Sequence, residues 1–334
     1  MRTRRLPFVR NMLCIALLAC GTAALAKPGA VPIEDQGAFA LGDTLVLPAP
    51  DVAKLEMEDA KAQGGPYRYG VQIPVADLGI SDKAYGRWSE EDGIAIWQFD
   101  LASPGARTLD FHFSKLALPG NATLTIRGEG KDNYRYINAS QLSDTGFWSP
   151  YVIGERATLE LRVPAKQRAG VALELASVTH GYRGLFEQAD TGQKSGSCNV
   201  DVACSAGNGW HEQMSSVGQY TFSSGGSSYV CTGTLMANTS VSNTPYFLTA
   251  NHCMSTQTVA STIVVYWNYQ GANCRAPGSS ASGTALAKSI ASHSQSGSTL
   301  RATHAPSDFT LLQLSTNVPV AASPYFSGWS RSTT

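Results

Sequence analysis

The residues best suited to chemistry stand at Thr249-Ala250-Asn251-His252-Cys253, directly after the apolar run Tyr246-Phe247-Leu248. A short buried strand there would fix an imidazole at the rim of a β structure. The neighbouring cysteine could staple the following turn through a disulfide. An imidazole so held is suited to general-base work, which needs a nucleophile and a carboxylate to hold its tautomer and stabilise its cation. Downstream of residue 194 the candidate acids are Asp201, Glu212 and Asp308, and the other histidines are His211, His293 and His304. His252 alone ends an apolar strand. His293 and His304 lie among Ser, Gln and Thr and are expected in solvated loops, while His211 follows Trp210 without strand context. Asp308 opens Ser307-Asp308-Phe309-Thr310-Leu311-Leu312-Gln313-Leu314, a strand whose apolar residues would bury it. A buried carboxylate needs donors, and His252 Nδ1–H would be one. The same position also suits an aspartate that caps a turn. Asp201, between Cys198 and Cys204, reads as a turn residue. No nucleophile motif follows before Thr334. A zinc site at His252-Cys253 is disfavoured, because neighbours on a strand point to opposite faces and no C-x-x-C or H-x-x-x-H pair accompanies them. No metal and no cofactor is expected.

These side chains must be positioned by β structure. Val217 to Phe222, Tyr229 to Leu235, Pro245 to Ala250, Ser261 to Tyr269 and Phe309 to Leu314 read as strands and would make most of one small barrel. Upstream, Ile94 to Phe99, Leu109 to Phe113, Ala122 to Ile126 and Thr158 to Val163 mostly alternate apolar and polar residues, separated by turns such as Ser103-Pro104-Gly105 and Pro119-Gly120-Asn121. Such spacing predicts an antiparallel β-sandwich, which taken alone also suits a carbohydrate-binding or adhesion module. Residues 27–60 are a mixed lead-in, with helical character around Pro50 to Ala62. Phe186 to Ser197 is polar, without apolar periodicity, and reads as an exposed connector. The expected fold class is all-β.

Composition sets the context. The 334 residues leave room for two or three domains, a hydrophobic content of 43% supports real cores, and a formal net charge of zero offers no footprint for nucleic acid or acidic membranes. Between residues 195 and 334 the charged residues are Asp201, Glu212, Arg275, Lys288, Arg301, Asp308 and Arg331, so 43 of the 50 charges lie upstream. A stretch so poor in charge and rich in Ser, Thr, Gly and Asn looks like a rigid exported β protein. Arg2, Arg4, Arg5 and Arg10, the apolar Met12 to Ala19, and Ala24-Leu25-Ala26 compose a signal peptide with cleavage after Ala26. Leu17-Leu18-Ala19-Cys20 offers a lesser alternative, a lipid anchor on Cys20. No later apolar run is long enough for a transmembrane helix. Apart from Cys14 and Cys20, the cysteines are Cys198, Cys204, Cys231, Cys253 and Cys274, an odd set that fits disulfides formed after export. Sequence alone does not assign their pairing.

Ser197-Cys198-Asn199-Val200-Asp201-Val202-Ala203-Cys204, Cys231-Thr232-Gly233-Thr234-Leu235, Phe247 to Cys253, Val264-Val265-Tyr266-Trp267-Asn268-Tyr269-Gln270 and Ser307 to Leu312 occur in this order. Together they resemble the secreted bacterial lysyl endopeptidases, trypsin-like serine proteases of chymotrypsin fold made as pre-pro-enzymes. The resemblance runs from about Ser195 to the end and, more faintly, through the β-rich stretch upstream, which corresponds to the family's propeptide. It implies a signal peptide at 1–26, a propeptide with a sandwich-like domain at 27–194, and the first barrel of the protease domain at 195–334. It implies His252 as general base and Asp308 as its carboxylate. It implies disulfides Cys204–Cys274 and Cys231–Cys253, each stabilising by roughly 3–4 kcal/mol in the chain-entropy model. The family partner of Cys198 is missing, which leaves Cys198 unpaired here.

The family's nucleophile lies in a Gly-x-Ser-Gly-type turn of the second barrel, and none follows Asp308. The expectation is therefore a truncated, inactive protease precursor. Its substrates would be proteins or peptides with a basic P1 residue, and its other partner its own propeptide. Gln193-Lys194-Ser195 at the propeptide boundary makes Lys194 the expected cleavage residue and tilts the preference slightly from arginine towards lysine. A secreted non-catalytic β-rich binding protein, or a protease homologue that has lost activity, are the competing readings.

Overall fold

Alternation along the strands builds the molecule. Arg156–Pro164 (β10) buries Ala157, Leu159, Leu161 and Val163 completely and half-exposes the residues between them, the signature of a strand with one face on a core. The structure is a computed structural model that describes residues 44–332 apart from 63, 81–84, 143–145, 186–199, 241 and 275–287, all within one compact unit, Phe39–Thr334. The signal-peptide reading, Cys20, the connector, Lys194 and Cys198 lie outside the described residues.

One sheet contains Leu45–Val46 (β1), Arg87–Glu91 (β3), Ile94–Ala102 (β4), Thr123–Arg127 (β6), Tyr134–Asn138 (β7) and β10. Facing it are Tyr67–Gly79 (β2), Thr108–Ala117 (β5), Phe147–Trp148 (β8), Val152–Ile153 (β9) and Ala172–Gly181 (β11). The two faces share one core, in which Trp97, Phe99, Phe111, Phe113, Leu124 and Leu159 are buried. Helix α1, Val52–Lys61, is capped by the Asp51 carboxylate accepting from the Lys54 N–H. This is the sandwich that the upstream alternation predicts.

Beyond the connector come helix α2 (His211–Ser216) and strands Val217–Ser224 (β12), Ser227–Met236 (β13), Tyr246–Thr249 (β14), Val264–Trp267 (β15), Ser294–Ser296 (β16), Ser298–His304 (β17) and Phe309–Leu314 (β18). β15 pairs with β12, β12 with β13, β13 with β14, β14 with β18, and β18 with β17, while β16 pairs back onto β15. The ladder is a nearly closed barrel of the chymotrypsin-like kind. Only Gly297 separates β16 from β17. Its φ of +82° turns the chain, and its N–H and C=O pair with Ile263 O and Ser315 N at 2.8 and 3.0 Å. One bent strand thus joins the two ends of the ladder.

β16 and β17 are absent from the strand reading of the sequence. Their residues are nearly all polar, with only Leu300 and Ala302 apolar, so no alternation marks them. Tertiary pairing makes them strands. His293, expected in solvent, is buried just before β16 because its carbonyl accepts the Trp267 N–H at 2.8 Å and its Nδ1 meets Ser292 Oγ at 2.8 Å.

The barrel core is aromatic. Phe247 stands edge-on to Tyr220 and Trp267, with ring centroids 5.8 and 5.7 Å apart. Room for its ring comes from Gly218 and Gly233, which face each other across the β12–β13 ladder. A Cβ on Gly233 would lie 2.3 Å from Phe247 Cε1 and 2.7 Å from the Leu248 carbonyl oxygen. Gly233→Ala should therefore overpack the barrel and cost about 1–3 kcal/mol, measured as a lower urea midpoint at unchanged m-value. An unchanged midpoint would show that Phe247 does not fill this space.

Candidate active site

The β14–β18 ladder sets the site. Leu248 pairs with Leu311 and Thr249 with Thr310, antiparallel. β14 stops at Thr249, and the chain turns so that the Cys253 and Met254 N–H groups donate to Ala250 O at 3.3 Å. His252 thus stands on a turn three residues past the strand, not on the strand itself. From the opposite direction the chain enters β18 through Asp308, a left-handed residue with φ +49° and ψ +42° at the end of the 3-10 turn Ala305–Ser307. The two turns meet at the same end of the ladder.

There the Asp308 carboxylate accepts twice from His252. Oδ1 takes the backbone N–H at 2.9 Å and Oδ2 the Nδ1–H at 2.7 Å. The His252 N–H, then its imidazole, hold the Asp308 carboxyl below the usual carboxylate range. With a carboxylate facing Nδ1, that nitrogen carries the proton and the neutral ring presents its lone pair at Nε2. Asp308 is not buried, contrary to the expectation from its apolar neighbours: the His252 and Asp308 side chains are 53% and 52% exposed. The carboxylate sits ahead of the ladder, and of the apolar residues of β18 it is Leu312 and Leu314 that point into the barrel.

A ring of hydroxyls carries these turns. Asn251 Nδ2 donates to Thr303 Oγ1 at 2.7 Å, Thr303 and Thr310 share a hydrogen bond at 2.7 Å, and the Thr310 hydroxyl donates to Met254 O at 2.7 Å. Thr310 is fully buried, in phase with the inward-facing Leu312 and Leu314. A threonine at an inward position of a strand was the available sequence signal for it. Beneath, Tyr220 OH donates to Thr249 Oγ1 (2.7 Å), which passes its own proton towards Thr232 O (3.0 Å).

Disulfides join Cys231 to Cys253 and Cys204 to Cys274. The first ties β13 to the turn that bears His252. Cys231, His252 and Cys253 place potential ligand atoms within 4.8 Å of one another, nearer than opposite strand faces would allow, because the turn bends the chain. Both sulfurs are consumed in the disulfide, so only an imidazole remains to ligate. His211 begins α2 and is exposed, and His304 Nδ1 meets Ser307 Oγ at 2.8 Å. Neither touches the pair. Asp201 O accepts the Cys204 N–H in a turn. Among the described residues no hydroxyl is hydrogen-bonded to His252 Nε2. The arrangement can take a proton at Nε2 and stabilise the resulting cation.

Two family models match the chain: "Lysyl endopeptidase N-terminal domain" over residues 46–182 and "Lysyl endopeptidase, C-terminal domain" over residues 192–334. A curated relative, "Lysyl endopeptidase" of Pseudomonas aeruginosa, is 27% identical over 286 residues, which cover 81% of this chain. The match spans 60% of that relative's length.

Because the native pair lowers the Asp308 pKa, the stability that the contact contributes is present above the ordinary aspartate value and is lost as pH falls through the lowered one. Carbon-13 NMR of the Asp308 carboxyl should show it titrating below ordinary aspartate, with His252→Ala moving it back up. A carboxyl titrating at the ordinary value in the native chain would mean that the contact does not form in solution.

Proposed function

The chain belongs to the lysyl endopeptidase family, and from that premise we propose that it is precursor sequence of an exported serine endopeptidase in which His252 is the general base and Asp308 its orienting carboxylate. The 2.7 Å contact between His252 Nδ1 and Asp308 Oδ2 carries this reading. It keeps the proton on Nδ1, aims the Nε2 lone pair outward, and gives the imidazolium a counter-charge. A serine hydroxyl brought to Nε2 would lose its proton to the ring as its oxygen attacks a peptide carbonyl. The ring would then pass the proton to the leaving amine. That serine would come from the part of the protein corresponding to the remaining length of its relative. On this reading residues 1–334 by themselves do not hydrolyse peptides.

Substrates would be proteins and peptides with a basic residue before the scissile bond, lysine slightly ahead of arginine. Self-release at Lys194 would require the enzyme to accept lysine there. Residues 27–194 would be the propeptide, a partner of the protease domain in the same chain. Export fits the two disulfides, and no helix among the described residues is long and apolar enough to cross a membrane. A purely binding β protein gives no reason for an imidazole and a carboxylate to be brought to one rim.

In the full-length enzyme, His252→Ala should lower kcat by about 10⁴–10⁶-fold and abolish labelling by a serine-directed phosphonate. Full labelling of the variant would reject His252 as the base. The N-terminus of the secreted enzyme, read by Edman degradation, should lie near Ser195.

A further inference from the structure

Two faces that strand alternation turns outward are buried against each other. In the barrel, Tyr220, Phe222, Val265 and Trp267 point into the core, so Thr221, Ser223, Val264 and Tyr266 face away from it. All four are nonetheless buried. The sandwich covers them. Trp148 and Tyr151 pack on Val264 and Tyr266, the Tyr151 N–H donates to Tyr266 OH at 3.3 Å, Ser296 Oγ donates to Trp148 O at 2.7 Å, and the Thr179 and Ser228 hydroxyls lie 3.2 Å apart. At the edge of this seam β2 pairs with β13, Gly70 opposite Ser228 and Val71 opposite Ser227. Beside an apolar cluster of Trp148, Tyr151, Val264, Tyr266 and Ile290, the seam carries the buried hydroxyls of Thr179, Ser223 and Ser228.

Asp110 sits in this seam. Leu109 and Phe111 point into the sandwich core, so β5 turns Asp110 the other way, where it is buried. It accepts from Tyr69 OH at 2.7 Å and from the Thr179 hydroxyl. The groups facing it are Tyr69 on β2, Thr179 on β11 and, across the seam, Tyr266 on β15. No cation is among them within the described residues. Burial pushes its carboxyl up to about 6, because two neutral donors only partly replace the water lost. His112, two residues along β5, stacks on Trp148 at 4.0 Å, and its pKa is lowered by burial. His180, next to Thr179, meets Ser103 Oγ through Nδ1 at 2.8 Å, and its pKa is likewise lowered by burial. Arg135 lies towards Tyr151, donating to its carbonyl at 2.7 Å.

We propose that Asp110 makes the contact between sandwich and barrel a proton-gated clasp, closed while its carboxyl is neutral and loosened once the carboxyl ionises and must be hydrated. The clasp depends on the seam alone and not on the reaction at His252. Opening would return Asp110 from about 6 towards the ordinary 3.8. Its contribution to closure is then complete below the ordinary value, is lost as pH rises through about 6, and levels off above. The span corresponds to about a hundredfold in the closing equilibrium. Protonation of His112 or His180 in acid works in the opposite direction, so a response of this sign belongs to the carboxyl.

Amide hydrogen exchange on the intact chain, corrected for intrinsic rates, reads the seam at Gln72 N–H, which donates to Gly226 O, and at Tyr151 N–H. From pH 4 to 7.5 their protection should fall about a hundredfold, while amides of the β14–β18 ladder keep theirs. Asp110→Asn should abolish the fall. Tyr69→Phe, which removes a donor from the carboxylate, should move its midpoint to higher pH and tests the proposal even if the asparagine variant does not fold. PH-independent protection in the native chain, an unchanged fall in Asp110→Asn, an unmoved midpoint in Tyr69→Phe, or an equal loss across β14–β18 would each overturn it.

Discussion

The register of β14 against β18 is the constraint on which the site depends. With Thr249 opposite Thr310, a residue three places beyond one strand and the residue immediately before the other reach the same rim. A slip of one residue would shift Asp308 by about 3.3 Å along the strand and turn Thr310 from the interior to the surface. The 2.7 Å contact to His252 would be lost. Burial of Leu312 and Phe247, the Thr310 hydroxyl on Met254 O and the Cys231–Cys253 bond all oppose that slip.

The pair itself contributes little to holding the fold. Its two side chains are half exposed, and solvent screens an ion pair in that setting. Support therefore runs from the scaffold to the site. The barrel closes through one bent strand at Gly297, and its aromatic core fixes β14 from below. The backbone at Asp308 takes a left-handed conformation that a short polar side chain tolerates better than a branched one. That conformation lets a single carboxylate accept from both the main chain and the ring of His252.

The sandwich and the barrel keep separate apolar cores yet share a sheet. β2 carries β11 on one edge and the first half of β13 on the other, so a twelve-stranded sheet runs through both. Where their faces meet, an apolar cluster about Trp148, Tyr151, Val264 and Tyr266 lies beside buried serines, threonines and one aspartate. Hydrogen bonds there are exchanged for bonds to water on opening at small net cost. Such a seam is more polar than the cores that it joins.

Much of this was legible from residue order. His252 stood out as an imidazole after an apolar run, Asp308 as an acid ahead of a largely apolar strand, and β10 wrote its period of two in its side chains. These are local properties, carried by neighbours in the chain. The bent strand β16–β17 and the burial of His293 were not legible, because polar residues such as Gln295 are drawn inside only by partners far away: Trp267 Nε1 donates to Gln295 Oε1 at 2.9 Å. The exposure of Asp308 was misjudged for a related reason, since the direction of a side chain at a strand's entrance is set by the turn before it. Residue types and spacing determined which groups could do chemistry and which segments could be strands. Tertiary structure decided which of those groups touch and which polar surfaces are covered, because ladders between distant segments, not local alternation, set register, closure and burial.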